Sequence, residues 1–176
     1  MNIEKTEAIL MLSSIISDTL LFKSPTCTKE DIEACKELAV ISDINIDTYG
    51  LDMLKAGTDL SSFTACELIN IDSKEFANGN FKFQVAQVNT ACIEDVLKNK
   101  IDIEDAMNKF INDSGVNLFV FLITDIINSN SLCIVLGNNT DVFEKSFNKK
   151  LNDNTAFLEG VVSRKKQVAP VITNNI

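Results

Sequence analysis

Lys74-Glu75-Phe76-Ala77-Asn78-Gly79-Asn80-Phe81-Lys82-Phe83-Gln84-Val85-Ala86-Gln87-Val88 is the stretch in which the hydrophobic period of this 176-residue chain changes. Two short runs, 74–77 and 81–88, flank Asn78-Gly79, a dipeptide suited to the left-handed backbone of a tight hairpin. Phe81, Phe83 and Val85 alternate with Lys82 and Gln84, as on a half-buried strand. Upstream of the hairpin the pattern is helical, and downstream it mixes strands with helices. The expected fold class is α/β: a helical N-terminal half followed by a mixed β-sheet with flanking helices.

In the upstream half, Ala8, Ile9, Leu12, Ile16 and Leu20 stand at helical spacing and predict a largely buried helix over 4–22. Lys23 follows at its C-terminal end, where the helix dipole favours a cation, and Pro25 forbids further helix. Thr28 is placed to cap a second helix, with Glu30 and Asp31 in its first turn and an apolar stripe of Ile32, Cys35, Leu38 and Ala39. Asp47 can cap a third helix that ends at Gly57, and a short fourth helix runs from Ser61 or Ser62 to about Ile69.

Downstream of the hairpin, Ile93, Val96 and Leu97 form one helical face, and Asp102 and Asp105 open a second helical segment closed by Asn112–Gly115. The apolar runs Leu118–Ile127 and Leu132–Leu136 predict central strands, joined by Asn128-Ser129-Asn130-Ser131. A short helix near Asp141–Phe147 and a polar turn over 148–154 follow. Two extended pieces are expected to bracket Arg164, and Thr173–Ile176 is expected to fray.

Composition narrows the function classes. The chain is 45% hydrophobic and 23% charged, which suits one globular domain over 1–176. A formal net charge of -9 disfavours non-specific nucleic-acid binding and anionic membrane surfaces, so no partner of either kind is expected. The apolar stretch 8–22 is interrupted by Ser13, Ser14, Ser17 and Asp18 and is too short to span a bilayer. The five cysteines show no CxxC spacing, most fall in apolar-periodic segments where a thiol acts as a small core residue, and all are expected to be reduced in a cytoplasmic protein. Transition-metal hydrolases usually combine histidine with carboxylate ligands, and the sequence has no histidine. No metal ligand is therefore assigned, and Asp18, Asp59 and Asp125 are expected to serve caps, turns or strand ends.

Against this acidic background, Ser163-Arg164-Lys165-Lys166-Gln167 concentrates three cations between apolar flanks. Arginine offers a planar fork of donors and lysine a point charge, a combination that suits phosphate oxygens. The same residues also fit a solvated basic turn, and Lys23 also fits a plain dipole partner. The Lys23–Thr28 loop starts with a cation and ends at a helix N-terminus, so it too suits a phosphate.

Five stretches, taken in order, carry a family resemblance: Ser17–Thr26, Tyr49–Leu60, Gln87-Val88-Asn89-Thr90, Phe157-Leu158 and Gly160–Gln167. Together they resemble the C-terminal DHHA2 domain of manganese-dependent (family II) inorganic pyrophosphatases. The resemblance runs over nearly the whole chain. It implies that Lys23, Arg164 and Lys165 bind the phosphates of pyrophosphate or phosphate, with Lys166 turned away if the stretch is extended. It further implies a partner, the N-terminal DHH domain of the same enzyme, which carries the Asp-His-His motif and binds the manganese. That domain has no counterpart in this sequence. The chain alone is therefore expected to contribute no catalytic residue and to be inactive, as the substrate-binding part of a hydrolase. Two other readings remain open: a free-standing polyphosphate-binding or interaction module without catalysis, and part of an exopolyphosphatase. The intact Ser-Arg-Lys-Lys-Gln stretch favours the pyrophosphatase over the latter.

Overall fold

A computed structural model describes residues 3–176 and divides the chain into two compact units, Met1–Asp59 and Leu60–Ile176. The first unit is helical: α1 (Lys5–Thr19), α2 (Lys29–Ser42) and α3 (Ile46–Ala56). Helix α1 buries Ala8, Leu12 and Ile16 of the stripe that its sequence spacing predicts, together with Thr19, but it is not largely buried: Leu10 and Met11 are 65% and 47% exposed. It stops earlier than the apolar pattern suggests. Leu20, Leu21 and Phe22 all adopt positive φ (48°, 52° and 67°), a run of left-handed backbone without glycine. Thr19 supports this turn, its carbonyl accepting from Ser24 N at 2.8 Å and its Oγ1 from Phe22 N at 3.3 Å. Lys23 therefore lies beyond the helix terminus, within the turn, where its N–H donates to Leu20 O at 3.2 Å.

Helix α2 begins with the expected cap. Thr28 Oγ1 accepts from Asp31 N at 3.2 Å, and the Asp31 carboxylate accepts from Thr28 N at 2.8 Å. The bond from the Thr28 backbone, followed by that from its hydroxyl, holds the Asp31 carboxyl below its ordinary range. Helix α3 is capped by Asn45 and not by Asp47: Asn45 Oδ1 accepts from Thr48 N at 3.1 Å, and Asp47 lies in the first turn, where its charge suits the dipole. The helix ends before Gly57 as its sequence suggests, but Gly57 is right-handed, with φ −79°.

The second unit is a five-stranded sheet with helices packed on it. It comprises α4 (Ala65–Leu68), β1 (Ser73–Asn78), β2 (Phe81–Thr90), α5 (Ile93–Leu97), α6 (Lys100–Ser114), β3 (Leu118–Asp125), β4 (Asn130–Gly137), α7 (Thr140–Phe147), β5 (Thr155–Leu158), a π-helical turn (Arg164–Val168) and α8 (Ala169–Thr173). The strands lie side by side in chain order, β2 and β3 parallel and every other pair antiparallel. The parallel pair needs a long crossover, which α5 and α6 supply. Strand β3 is buried on both faces, which explains its unbroken apolar run. Leu118, Val120 and Leu122 join one core layer with Phe83, Val85, Phe143, Val168 and Ile172. Phe119, Phe121 and Ile123 join the other with Leu68, Val96, Ile103 and Met107.

The β1–β2 hairpin forms where expected, shifted by one residue. Asn78 pairs with Phe81, so Gly79 and Asn80 form the loop, and Gly79 carries the positive φ (58°) at the first central position, the II′ pattern. A larger departure comes at the C-terminus. The second extended piece expected after Arg164 is helical: the π turn runs directly into α8, with Pro170 in its first turn, where a missing N–H removes no helical bond.

Gly137 ends β4 at φ +126°, and a Cβ built there would stand 2.5 Å from Asn117 O and 3.0 Å from Leu118 Cα. Both neighbours are backbone and cannot swing aside. Gly137→Ala is expected to destabilise the unit by about 2 kcal/mol or more, from strain and clash together. Urea denaturation measures it, and an unchanged midpoint would show that the β3–β4 ladder yields there.

Candidate anion-binding site

The loop after β5 is braced by side chains at every residue from Gly160 to Arg164. Gln167 Oε1 accepts from Val162 N at 2.9 Å and Ser163 N at 3.0 Å, while its Nε2 donates to Gly160 O at 2.8 Å. Asn130 Oδ1 accepts from Gly160 N at 2.9 Å, and Ser131 Oγ donates to Val161 O at 2.7 Å. Gln87, buried on β2, donates through Nε2 to Val162 O and to Thr124 Oγ1, each at 3.0 Å, and accepts from Arg164 N at 3.0 Å. Thr124 and Ser131, buried in the paired strands β3 and β4, complete the chain at 2.9 Å. A buried polar network satisfied in this way fixes geometry, because any displacement strands a desolvated group.

The cations emerge from this platform on a π-helical turn. Ser163 Oγ accepts from Lys166 N at 3.3 Å, and Ala169 N donates to Arg164 O, five residues back. Single π turns recur at functional sites. Because the turn is helical, the strict alternation expected to part Lys165 from Lys166 does not apply. Both are exposed, and Lys165 makes no ion pair among the described residues.

Arg164 is more constrained. Its NH2 group meets Asp72 Oδ1 at 2.6 Å, its NH1 group donates to Val85 O at 3.3 Å, and its side chain is only 15% exposed. Asp72 directly precedes β1, and its carbonyl accepts from Gln87 N at 2.9 Å, so it extends the β1–β2 ladder by one residue. Residues two apart on a strand share a face, so Lys74, opposite Val85 in the register, stands on the side of β1 that Asp72 turns to Arg164. Lys74 is exposed, with its Nζ 5.8 Å from the centre of the Phe76 ring. Sequence reading singles out neither Asp72 nor Lys74. The clue available to it is the hairpin register, which sets 72–74 beside 85–87.

The remaining sequence candidates stand on other segments of the chain. Lys23 is exposed in the turn after α1 and belongs to the helical unit, whereas Arg164 and Lys165 belong to the sheet unit. Asp125 closes the β3–β4 turn, accepting from Ile127 N at 2.7 Å and Asn128 N at 2.9 Å. The Asp18 side chain is exposed near the C-terminal end of α1, where the dipole is unfavourable to a carboxylate, and its carbonyl accepts from Thr26 Oγ1 at 3.4 Å across the following turn. Among the described residues, no group of three or more His, Cys, Asp or Glu side chains could hold a metal ion, and no helix is long and apolar enough to cross a membrane.

An α/β unit with a cationic turn on a braced loop at one end of its sheet is thus the setting for any function. The chain belongs to the DHHA2 domain family, whose pattern matches residues 51–175. The match includes Arg164 and Lys165 and begins within α3, so the Lys23 stretch lies outside it. The whole chain nevertheless aligns with longer proteins. It is 54% identical over 172 residues to a manganese-dependent inorganic pyrophosphatase of Bacillus subtilis, covering 98% of this chain and 56% of that protein. Similarity to a protein of Bacillus velezensis named a probable manganese-dependent inorganic pyrophosphatase is 55% over 174 residues, with 99% and 56% coverage. A crystal structure from Methanococcus jannaschii, of a protein assigned to the family II inorganic pyrophosphatases, superposes with a TM-score of 0.87 at 42% identity. It covers 99% of this chain and 57% of that one. The chain spans about half the length of the curated relatives that it matches.

Proposed function

We propose that this chain is the substrate-binding part of a manganese-dependent inorganic pyrophosphatase, with Arg164 and Lys165 gripping the phosphates of pyrophosphate. The observation that carries this reading is the braced Gly160–Arg164 loop, which holds a mostly buried guanidinium beside an exposed ammonium in a chain of net charge -9. The names of the relatives supply the reaction class. Lys74, on the same side of β1, is a third candidate contact, and Lys23 is proposed as a further one on the resemblance of its stretch alone.

In pyrophosphate hydrolysis water adds to one phosphorus, the bridging P–O bond breaks, and charge grows on the departing phosphate. Preorganised cations stabilise that charge more in the transition state than in the ground state. The donor groups among the described residues do not fit a manganese site, so the metal is proposed to be held by the part of the relatives that this chain does not cover, an N-terminal DHH domain. When bound there it would supply the activated water. Five free thiols fit a reducing, cytoplasmic location.

The test is manganese-dependent phosphate release from pyrophosphate. The chain alone is expected to be inert, and the chain joined behind the part of the Bacillus subtilis relative that it does not cover is expected to turn over. Turnover by the pure chain alone would overturn the proposed division of labour. A joined protein that folds and binds manganese but stays inert would instead favour an anion-binding module without catalysis.

A further inference from the structure

Arg164 is tied to a carboxylate at the place where an anion is proposed to bind, and that pairing needs a reason. We infer that Asp72 is a positioning residue: it fixes the Arg164 guanidinium against the sheet so that the donors left over face the anion. This rests on the function proposed above. A guanidinium carries five N–H donors. One on NH2 goes to Asp72 Oδ1 at 2.6 Å and one on NH1 to Val85 O at 3.3 Å, leaving three for a ligand. The two partners come from neighbouring segments, Asp72 just before β1 and Val85 on β2, so the planar group is held at two points. With the Arg164 backbone already fixed by Gln87, both ends of this long side chain are restrained. A free arginine loses rotamer entropy when it grips a ligand, and a held one does not.

The alternative role for such a pair is a lock, in which the carboxylate competes with the anion and must be displaced. The two roles predict opposite signs. Removing a negative charge beside an anion site should, on Coulombic grounds alone, tighten anion binding. A positioning role predicts the reverse for Asp72→Ala, with Asp72→Asn close to the unaltered chain because its amide oxygen still accepts the NH2 bond.

The experiment uses the 176-residue chain and inorganic pyrophosphate as the probe, with affinity read by phosphorus NMR and the Arg164 guanidinium by nitrogen–proton NMR. Asp72→Ala is expected to weaken pyrophosphate about tenfold and to average the Arg164 NH signals, which are expected to be resolved in the unaltered chain and in Asp72→Asn. Tighter binding by Asp72→Ala overturns the inference in favour of a lock. Averaged Arg164 signals in the unaltered chain overturn it too, with the proposed function intact if pyrophosphate still binds. Resolved signals without any pyrophosphate binding by the unaltered chain overturn the proposed function, and Asp72's role in ligand positioning with it.

Discussion

Arg164→Ala is expected to lower pyrophosphate turnover of the joined protein by about two to three orders of magnitude, the loss seen when one preorganised charge-stabilising donor is removed. The substitution removes the side chain that the surrounding residues hold in place. It also leaves the Asp72 carboxylate unpaired beside the proposed ligand, converting a neutralised pair into a net negative charge. Arg164→Lys should recover only part of the activity, because an ammonium cannot make the two parallel contacts of a guanidinium fork. The fold should survive. Asp72 is 56% exposed and readily hydrated, and the backbone bonds of Gln87 and Gln167 do not depend on the Arg164 side chain. The assay is steady-state phosphate release beside a urea unfolding curve. Turnover within a fewfold of the unaltered protein, with the fold intact, would remove Arg164 from the chemistry.

Phe83→Ala carries the largest expected cost in stability, about 3–5 kcal/mol. Phe83 is fully buried on β2, stacked on Phe76 with ring centroids 5.3 Å apart and tilted against Phe81 at 6.3 Å. Its layer includes Val85, Leu118, Val168 and Ile172, so the cavity would open between the sheet and the helix that follows the cationic turn. A typical domain has about 5–15 kcal/mol in total, so the variant would be marginal near body temperature. Phe83→Leu, which leaves a smaller void, should cost roughly half as much. Denaturant midpoints at fixed temperature decide the matter, and a loss under about 1 kcal/mol for Phe83→Ala would mean that the neighbouring rings collapse into the space.

The elements best seen in the sequence are those whose pattern is long or doubly marked. Strands β3 and β4 announce themselves as apolar runs around polar turn residues, and α2 by Thr28 with Asp31 three residues on. Short apolar pieces are different. Val168–Ile172 holds five residues, too few for a helical or a strand period to assert itself, and its β-branched content suggests a strand. Pro170 was the contrary signal, since an interior strand position requires the N–H that proline lacks. Leu20–Phe22 could not have been found by pattern at all, because leucine and phenylalanine ordinarily avoid left-handed backbone. In the candidate site the cations were legible as a cluster of like charge in an acidic chain. Their supports were legible only in part: Gln87 and Gln167 stand in stretches that carry the family resemblance but show no role there, and Asp72 stands in none. All three are ordinary polar residues until the hairpin register and the turn into α8 bring them to one loop.

The bonds that orient Arg164 reach 77 residues back to Gln87, 79 to Val85 and 92 to Asp72. Ser-Arg-Lys-Lys-Gln is therefore not a portable motif. A peptide spanning 160–168 would have the charge and the Gln167 side chain, but nothing to hold the guanidinium. Grafted onto an unrelated surface, the same five residues would behave as a basic tail. On the function proposed, an anion would be recognised by the meeting of the two ends of the sheet unit, and the cationic letters of the sequence mark only one side of it.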